Sequence, residues 1–238
     1  YNTIYNNSPE GGIDADYGGT YSYNTIKNNS FTYEHGDGAG GVTIGSSNVS
    51  FNNNTVINNF SADGSDRAGG IFVQRGGYKI NNIISKNTGG SGYAFYYDSD
   101  QDGSITGNII TDGLAYLDGM DVNGSLTNNI FSGGLAGNFE FSDDDAGISN
   151  NMILNSPEGT LEIKADSQVD QTIYFSNNLF SYNASAYILK VGSDAYARNY
   201  VTTNQNNFIN NDGLTVRAPS SENYSVENNY WGTTTESE

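Results

Sequence analysis

An acidic loop, Asp98-Ser-Asp-Gln-Asp-Gly103, has the residue types and the spacing of a metal-binding segment. Its acids Asp98, Asp100 and Asp102 alternate with other residues before the glycine, as in the first half of a calcium loop of the EF-hand kind. The twelfth position of such a loop should be Glu but is Ile109, so a complete EF-hand is excluded. The loop is therefore either a bare calcium site completed by neighbouring residues or a solvated acidic turn.

A second acidic loop, Asp143-Asp144-Asp145, extends this candidate calcium chemistry. The loop between the two, at Asn123-Gly124, is minimal, so we expect the acidic loops to approach each other. We therefore add Asp143 and Asp145 to Asp98, Asp100 and Asp102 as predicted calcium ligands. Calcium is the only cofactor that the sequence suggests.

Zinc and thiol chemistry find no support in the composition. The only histidine, His35, lies in the loop Tyr33–Asp37 without a second His or Cys, so the lone imidazole is expected to face solvent. No serine is recognisably placed to complete a Ser-His-Asp triad. The chain has no cysteine, which excludes disulfides and thiolate sites.

The charge balance limits the class of partner. The chain carries 27 acidic residues against nine Lys and Arg, for a formal net charge of −18. A polyanion would be repelled, so nucleic-acid binding is not expected, whereas cations and neutral or basic partners are compatible. High solubility alone is the other explanation for this charge. No apolar run is long enough for this segment to insert into a membrane.

An asparagine-led repeat supplies the elements that must position these residues. A motif of Asn, two or three mostly apolar residues, and then often Asn or Gly recurs ten times, at spacings from 21 to 30 residues. The spacing has a nearly constant minimum, to which a variable number of residues is added. This indicates one structural unit that carries loops of different length. The leading residues are Asn2, Asn24, Asn54, Asn82, Asn108, Asn129, Asn151, Asn178, Asn207 and Asn229.

Each unit contains three short strand-like pieces, several of which alternate apolar and polar residues. Such a unit buries its apolar face only by stacking on its copies, at roughly 4.8 Å per coil. The sequence therefore predicts an all-β fold, a right-handed parallel β-helix of about ten coils with three short strands each. We expect the leading Asn to adopt a left-handed turn and to bond to its equivalent one coil away. One internal column is predicted to contain Ile83, Ile109, Ile130, Met152, Leu179 and Phe208.

Acidic residues also recur on the second strand of successive units. The alternation predicts that Asp121, Glu140 and Glu162 lie in one outward column, roughly 5 Å apart. Carboxylates this close repel each other, so a bound cation, a raised pKa or splayed side chains must relieve them. Lys164, Lys190 and Arg217 are predicted to lie beside them. The alternative is a solvated charged face with compensating neighbours.

Aromatic residues near the longest loops form a candidate ligand-binding lip. These loops follow the second and third motifs, at Ser30–Gly40 and Phe60–Gly69. Together with Phe72, Tyr96 and Tyr97 they are predicted to offer aromatic surface to sugar rings or to a protein partner. Scattered exposed aromatics are the alternative, since the chain has 18 Tyr.

The repeat resembles the right-handed parallel β-helix proteins of the pectate-lyase-like superfamily over its whole length. In style it is most similar to Asn-rich, adhesin-like surface proteins of archaea and bacteria, whose repeats read Asn-Asn-Thr-Ile-x-Asn-Asn. Their coil stacks often end in a string like Asn228-Asn-Tyr-Trp-Gly232. The resemblance implies an extracellular or cell-surface location, and it covers lyases, hydrolases, isomerases, tailspikes and adhesins alike.

Site roles follow from this resemblance by position only. In pectate-lyase-like enzymes the corresponding face carries calcium-binding acids and a basic residue that removes a proton from the sugar. Asp121, Glu140 and Glu162 would then be metal or acid groups, and Lys190 or Arg217 the base. None of the recognisable active-site strings of those enzymes is present, however.

We therefore expect residues 1–232 to form a single β-helix domain cut from a longer chain, followed by a tail or linker at 233–238. Further segments of the chain, or neighbouring subunits, are expected at the open coil ends. The first functional hypothesis is a non-enzymatic structural or adhesive surface module that binds calcium or glycans. The alternatives are a polysaccharide lyase or glycoside hydrolase that uses the second-strand face, and a subunit of a surface or phage fibre.

Overall fold

The computed structural model shows a protein built from β-strands joined by turns. It describes residues 1–32, 38–62, 67–90, 92–98, 103–121, 125–141, 147–156, 161–165, 173–184, 187–191, 201–212, 214–217 and 228–232. No helix occurs in these ranges. The strands form three long sheets in which every neighbouring pair is parallel, and the register shifts in two pairs, between Tyr93 and Phe95 and between Leu117 and Met120. The all-β parallel β-helix predicted from the repeat is confirmed.

Sheet 1 contains the Asn-led motifs, sheet 2 the second strand of each coil and sheet 3 the third. Sheet 1 consists of β1 (Thr3–Tyr5), β4 (Thr25–Lys27), β9 (Thr55–Ile57), β14 (Ile83–Ser85), β17 (Ile109–Thr111), β20 (Ile130–Ser132), β23 (Met152–Leu154), β26 (Leu179–Ser181) and β29 (Asn207–Ile209). Sheet 2 consists of β2 (Ile13–Asp14), β7 (Val42–Ile44), β12 (Ile71–Val73), β15 (Tyr93–Asp98), β18 (Leu114–Asp121), β21 (Leu135–Phe141), β24 (Leu161–Ala165), β27 (Tyr187–Val191) and β30 (Leu214–Arg217). Sheet 3 consists of β3 (Gly19–Ser22), β8 (Val49–Asn52), β13 (Gly77–Ile80), β16 (Gly103–Thr106), β19 (Ser125–Thr127), β22 (Gly147–Ser149), β25 (Ile173–Ser176) and β28 (Val201–Asn204).

The interior column of sheet 1 differs by one residue from the predicted one. Ile83, Ile109 and Met152 are exposed on the outer face, and the residue after each of them is buried. The predicted internal column is therefore wrong for all its members except Phe208. The reason is that the motif Asn itself points inward, so the period of two sends the next residue outward. The buried column is Ile26, Val56, Ile84, Ile110, Phe131, Ile153, Phe180 and Phe208.

A ladder of asparagines runs along the stack beside this column. In coil after coil the Oδ1 of one Asn accepts the backbone N–H and the Nδ2–H of the Asn one coil before it; Asn82 donates both to Asn108 at 2.9 Å. The second Nδ2–H of Asn82 goes to the main-chain oxygen of Phe51, at 2.7 Å. Both ends of each inner amide are thus satisfied although the residue is buried, which avoids the cost of an unpaired polar group. The members are Asn2, Asn24, Asn54, Asn82, Asn108, Asn129, Asn151, Asn178, Asn206 and Asn229.

The ladder confirms the predicted Asn–Asn bonding and corrects two of its details. Asn206, not Asn207, is the ninth member, and Asn207 lies on the outer side of the strand. The left-handed backbone belongs to the residue before each ladder Asn, for example Asn81 at φ 54° and Asn128 at φ 59°. Where two Asn are adjacent, the first makes the turn and the second bonds within the stack. Tyr23, Gly107 and Gln205 make the turn before three other ladder residues.

A second ladder follows each sheet 1 strand at the next corner. It links Asn7, Asn29, Asn59 and Asn87, and resumes from Ser156 to Asn183 and Asn211. The equivalent positions between these two runs are Gly113 and Gly134. At Gly134 the φ is +107°, and an added Cβ would lie 2.8 Å from the Cβ of Ser156, so a side chain does not fit.

Short strands outside the coils cover part of sheet 2. β5 (Ser30–Phe31) pairs with β10 (Phe60–Ser61), and β6 (Gly38–Ala39) pairs with β11 (Arg67–Ala68). They enclose a second small core of Ala39, Ala68, Phe72 and Tyr96, separate from the main core inside the coils. The long loops after the second and third motifs are thus partly an ordered layer on the coil.

Candidate functional surfaces

The acidic column on sheet 2 has a different register from the predicted one. Asp121 lies opposite Glu140, and Glu140 lies opposite Lys164. Glu162 instead lies opposite Asn138 on one side and Lys190 on the other. The predicted alignment of Glu162 with Glu140 is wrong by two residues, since a slip of two preserves the inward and outward alternation.

The observed register changes which charged residues lie opposite each other on neighbouring strands of sheet 2. Of the three predicted acids, only Asp121 and Glu140 lie opposite each other on neighbouring strands, and Lys164 follows on the next. In the adjacent column Glu162 is followed by Lys190 and then Arg217. In this register, acidic and basic residues occupy opposite positions on neighbouring strands.

The predicted calcium ligands lie largely outside the described residues, namely Asp100, Asp102, Asp143 and Asp145, as does His35. Asp98 ends β15 and lies opposite Asp118 of β18, an acid that the sequence pattern did not single out. The described part of the chain contains no group of three or more acidic or histidine residues placed to hold a metal ion. Calcium binding therefore stays a prediction.

The three aromatic residues of the predicted lip are buried. Phe72 and Tyr96 point out of the coil but lie under the covering strands, with ring centroids 5.4 Å apart. Tyr97 points inward and belongs to the main core. The prediction of an exposed binding lip at these three residues is wrong, because the covering layer was not visible in the repeat. Tyr93 and Tyr116, which stack with centroids 5.0 Å apart, are the partly buried neighbours of this cluster.

Two groups near this end of sheet 2 have shifted acidity. The pKa of Tyr116 is raised by burial, by the charge of Asp118 and by Tyr93. The pKa of Asp14 is raised by burial, by the charge and hydrogen bond of Asp16, and by Glu10. Both shifts reflect partly buried positions beside other titratable groups.

The outer face of sheet 3 is a flat, uncharged surface that the sequence reasoning missed. Within the described strands of this sheet, no outward position carries a charged residue. One outward column is Thr20, Ser50, Tyr78, Ser104, Ser125, Gly147, Tyr174 and Thr202. The other is Ser22, Asn52, Ile80, Thr106, Thr127, Ser149, Ser176 and Asn204. The signal was present as alternate Ser and Thr in the third strand-like pieces, but it appears only when the strands are stacked.

Hydroxyl groups on this sheet 3 face bond to one another along and across the strands. Ser104 lies 3.1 Å from both Ser125 and Thr106, and Thr106 lies 3.2 Å from Thr127. A hydroxyl can donate one hydrogen bond and accept two, so each retains capacity for a ligand. Tyr78 and Tyr174 stand exposed in the same column, four coil steps apart, about 19 Å at the usual strand spacing.

No family model matches this chain, and neither a curated protein nor a solved structure is significantly similar to it. The fold is therefore established by its own register and its Asn ladders. Because parallel β-helices carry enzymes, binding proteins and structural proteins, function has to be argued from the surfaces. The described residues also include no helix with the length and hydrophobicity needed to cross a bilayer.

Proposed function

We propose that this chain is a non-enzymatic surface module, a stiff β-helix in the style of the pectate-lyase-like superfamily, that binds neutral polysaccharide along the outer face of sheet 3. The location that this implies is extracellular or at the cell surface. The observation that carries the proposal is an uncharged, hydroxyl-rich face on a chain with a net charge of −18. Charged residues make up 15% of the chain, so about two would be expected on the outward positions of this face, and it has none.

The chemistry of this face matches that of a sugar chain. The hydroxyls and the amide of Asn204 are short side-chain donors and acceptors that can pair with sugar hydroxyls. The exposed rings of Tyr78 and Tyr174 offer apolar surface with a polar tip, the combination found where one side of a ligand is apolar and the other is wet. A polymer that lies along the stack could meet the same set of groups coil after coil.

The net charge selects among polysaccharides. A polyanionic glycan approaching a chain of net charge −18 is repelled, and the repulsion is weakened only by salt or by bound cations. A neutral glycan meets no such barrier. We therefore expect neutral oligosaccharides to bind in the absence of divalent cations and acidic ones not to bind.

The test is calorimetric titration of the whole chain with neutral oligosaccharides of several linkages and with oligogalacturonate, in EDTA. Tyr78→Ala combined with Tyr174→Ala should weaken binding at least tenfold. Tyr5→Ala is the matched control, because Tyr5 is 56% exposed, against 59% for Tyr78 and 55% for Tyr174, but lies on sheet 1. Absence of binding to every neutral glycan tried on an array, or equal loss in the control, would reject the proposal.

A polysaccharide lyase is the second candidate, and the register of sheet 2 favours it. Asp121 and Glu140 lie on neighbouring strands with Lys164 next in the same column, so two acids precede one base. By resemblance to pectate-lyase-like enzymes, the acids would hold calcium and a basic residue would take the proton from the sugar. The sequence pattern predicted Lys190 or Arg217 as that base, whereas the register of the strands puts Lys164 next to the two acids. Polyuronate should then yield unsaturated products that absorb in the ultraviolet, only with calcium, and Lys164→Ala should abolish them. No product at any pH with calcium would exclude this function.

A further inference from the structure

The outer face of sheet 1 exposes aliphatic side chains on the described part of the chain. From β9 to β29 none of its outward positions carries a charged residue. Ile83, Ile109, Ile130, Met152 and Leu179 follow one another in register on successive strands. Ile83, Ile109 and Met152 are each more than a third exposed. A contiguous aliphatic stripe in water on an otherwise highly charged protein indicates an interaction surface.

The stripe has a regular relief. Each strand from β9 to β29 has two outward positions, and all but one of the strands pair one aliphatic residue with one Ser, Thr or Asn. In β14, β17, β20 and β26 the aliphatic residue comes first, and in β9 and β29 it comes second. The exception is β23, where Met152 and Leu154 are both large. A ridge of large side chains therefore runs beside a trough of small ones.

We propose that this face binds a second copy of the chain, side by side and with the two solenoid axes parallel. A twofold axis parallel to the solenoid brings the first outward position of each strand against the second outward position of the same strand in the other copy. Ile83 then lies over Ser85, Ile109 over Thr111, and Ile57 over Thr55. Large side chains then lie over small ones on every strand of the stripe except β23, where Met152 lies over Leu154.

An antiparallel arrangement of the same faces fits worse. It would place ridge on ridge, with Ile83 against Leu179 and Ile109 against Met152, and would leave the troughs of Ser85 and Ser181 facing each other across a gap. Close packing rejects such a gap, because the lining atoms lose their contacts. The parallel dimer is therefore the geometry that this relief selects.

Charge identifies a second copy as a compatible occupant. Two chains of net charge −18 repel at a distance, but contact through the uncharged stripe brings no like charges together. A basic partner would gain nothing from this face, and a sugar would gain little from aliphatic side chains. Since salt screens the long-range repulsion and does not weaken hydrophobic contact, the dimer should strengthen as salt is added.

The area of this face limits the affinity of the dimer. Seven stacked strands extend about 34 Å along the solenoid, and the three residues of each strand extend about 10 Å across it. This is well below the roughly 800 Å² per partner of a stable complex. We therefore expect a weak dimer that dissociates on dilution, independent of any glycan binding on sheet 3.

Sedimentation equilibrium over a concentration series, at low and high sodium chloride, tests whether a second copy of the chain binds this face. The double variant Ile109→Glu and Met152→Glu should be monomeric, whereas Ser125→Glu and Ser149→Glu, which adds the same charge on sheet 3, should dimerise like the parent chain. Circular dichroism checks that both fold. A parent chain that stays monomeric at every concentration and salt, or a sheet 1 variant that still dimerises, overturns the proposal.

Cysteine cross-linking tests the orientation, because the chain contains no cysteine of its own. A mixture of Ile109→Cys and Thr111→Cys chains should cross-link with a short thiol-reactive reagent if the axes are parallel. A mixture of Ile83→Cys and Leu179→Cys chains should cross-link only if they are antiparallel. Cross-linking of the second mixture and not the first would overturn the parallel geometry while keeping the face.

Discussion

The Nζ of Lys79 lies 5.5 Å from the centre of the Tyr97 ring, inside the coil. Lys79 is 1% exposed, and its ammonium donates one hydrogen bond, to the main-chain oxygen of Gly76 at 2.7 Å. Its neighbours in register are Phe51 and Ile105, both fully buried. A cation in this position is held by one carbonyl and one aromatic face, between apolar residues on both adjacent strands.

This burial makes stability depend on pH. Burial lowers the pKa of Lys79 from 10.5 to about 7. Because the unfolded chain binds this proton more tightly, the destabilisation is fully present below about pH 7 and is relieved as pH rises towards 10.5. Lys79→Met should therefore raise the melting temperature at pH 6 and raise it less at pH 9, at about 2–4 °C per kcal/mol gained.

Scanning calorimetry across this pH range measures the effect. Lys27→Met, on the outer side of β4, is the matched control and should leave the pH dependence close to that of the parent chain. An equal change in melting temperature at pH 6 and pH 9 would show that Lys79 does not titrate between them.

Removing one ladder asparagine should strongly destabilise the stack. Asn129 Oδ1 accepts the backbone N–H of Asn108 at 2.9 Å and its Nδ2–H at 3.1 Å, and Asn129 Nδ2 donates to the oxygen of Ile105 at 2.8 Å. Asn129→Ala leaves these buried groups unpaired, at about 1–3 kcal/mol each. Asn128→Gly is the control, since Asn128 is exposed and its φ of 59° suits glycine. Urea denaturation should separate the two variants, and similar midpoints would contradict the ladder's role.

Neighbouring isoleucines test which residue of the motif points inward. Ile110 is fully buried and Ile109 is 39% exposed. Ile110→Ala should reduce the free energy of unfolding by about 2–5 kcal/mol, and Ile109→Ala by much less, because only the first creates a cavity. Denaturant titration gives both values. A larger loss for Ile109→Ala would reverse the assignment of the faces.

Calcium removal tests the acidic loops. If Asp98, Asp100 and Asp102 bind calcium, the melting temperature should rise with calcium and fall in EGTA, since a ligand that binds only the folded state stabilises it. Asp100→Asn combined with Asp102→Asn should remove the response. Glu10→Gln, which alters an acid at the other end of the stack, is the control. A melting temperature that is the same in calcium and in EGTA would count against the site.

The predicted positions of side chains were wrong where two neighbouring residues, or two strand registers, fitted the local sequence pattern equally well. Ile83-Ile84 and Ile109-Ile110 offer an apolar residue to either face, so the motif alone does not say which is buried. The hydrogen-bonded Asn decides it by pointing inward. Glu162 was misplaced for a related reason, because a two-residue slip keeps the alternation of its strand.

The sequence by itself determined the architecture: the recurrence of Asn at a nearly fixed minimum spacing requires a stacked β unit, since only repetition buries so short a strand. It also determined the charge that disfavours polyanions. Tertiary structure alone decided which side of each strand is covered, that the covering strands bury Phe72 and Tyr96, and that Ser and Thr gather on sheet 3. All three features depend on contacts between residues that are one coil or more apart. Because the loops differ in length, the sequence separation of such residues varies, and a local sequence pattern does not reveal which of them meet.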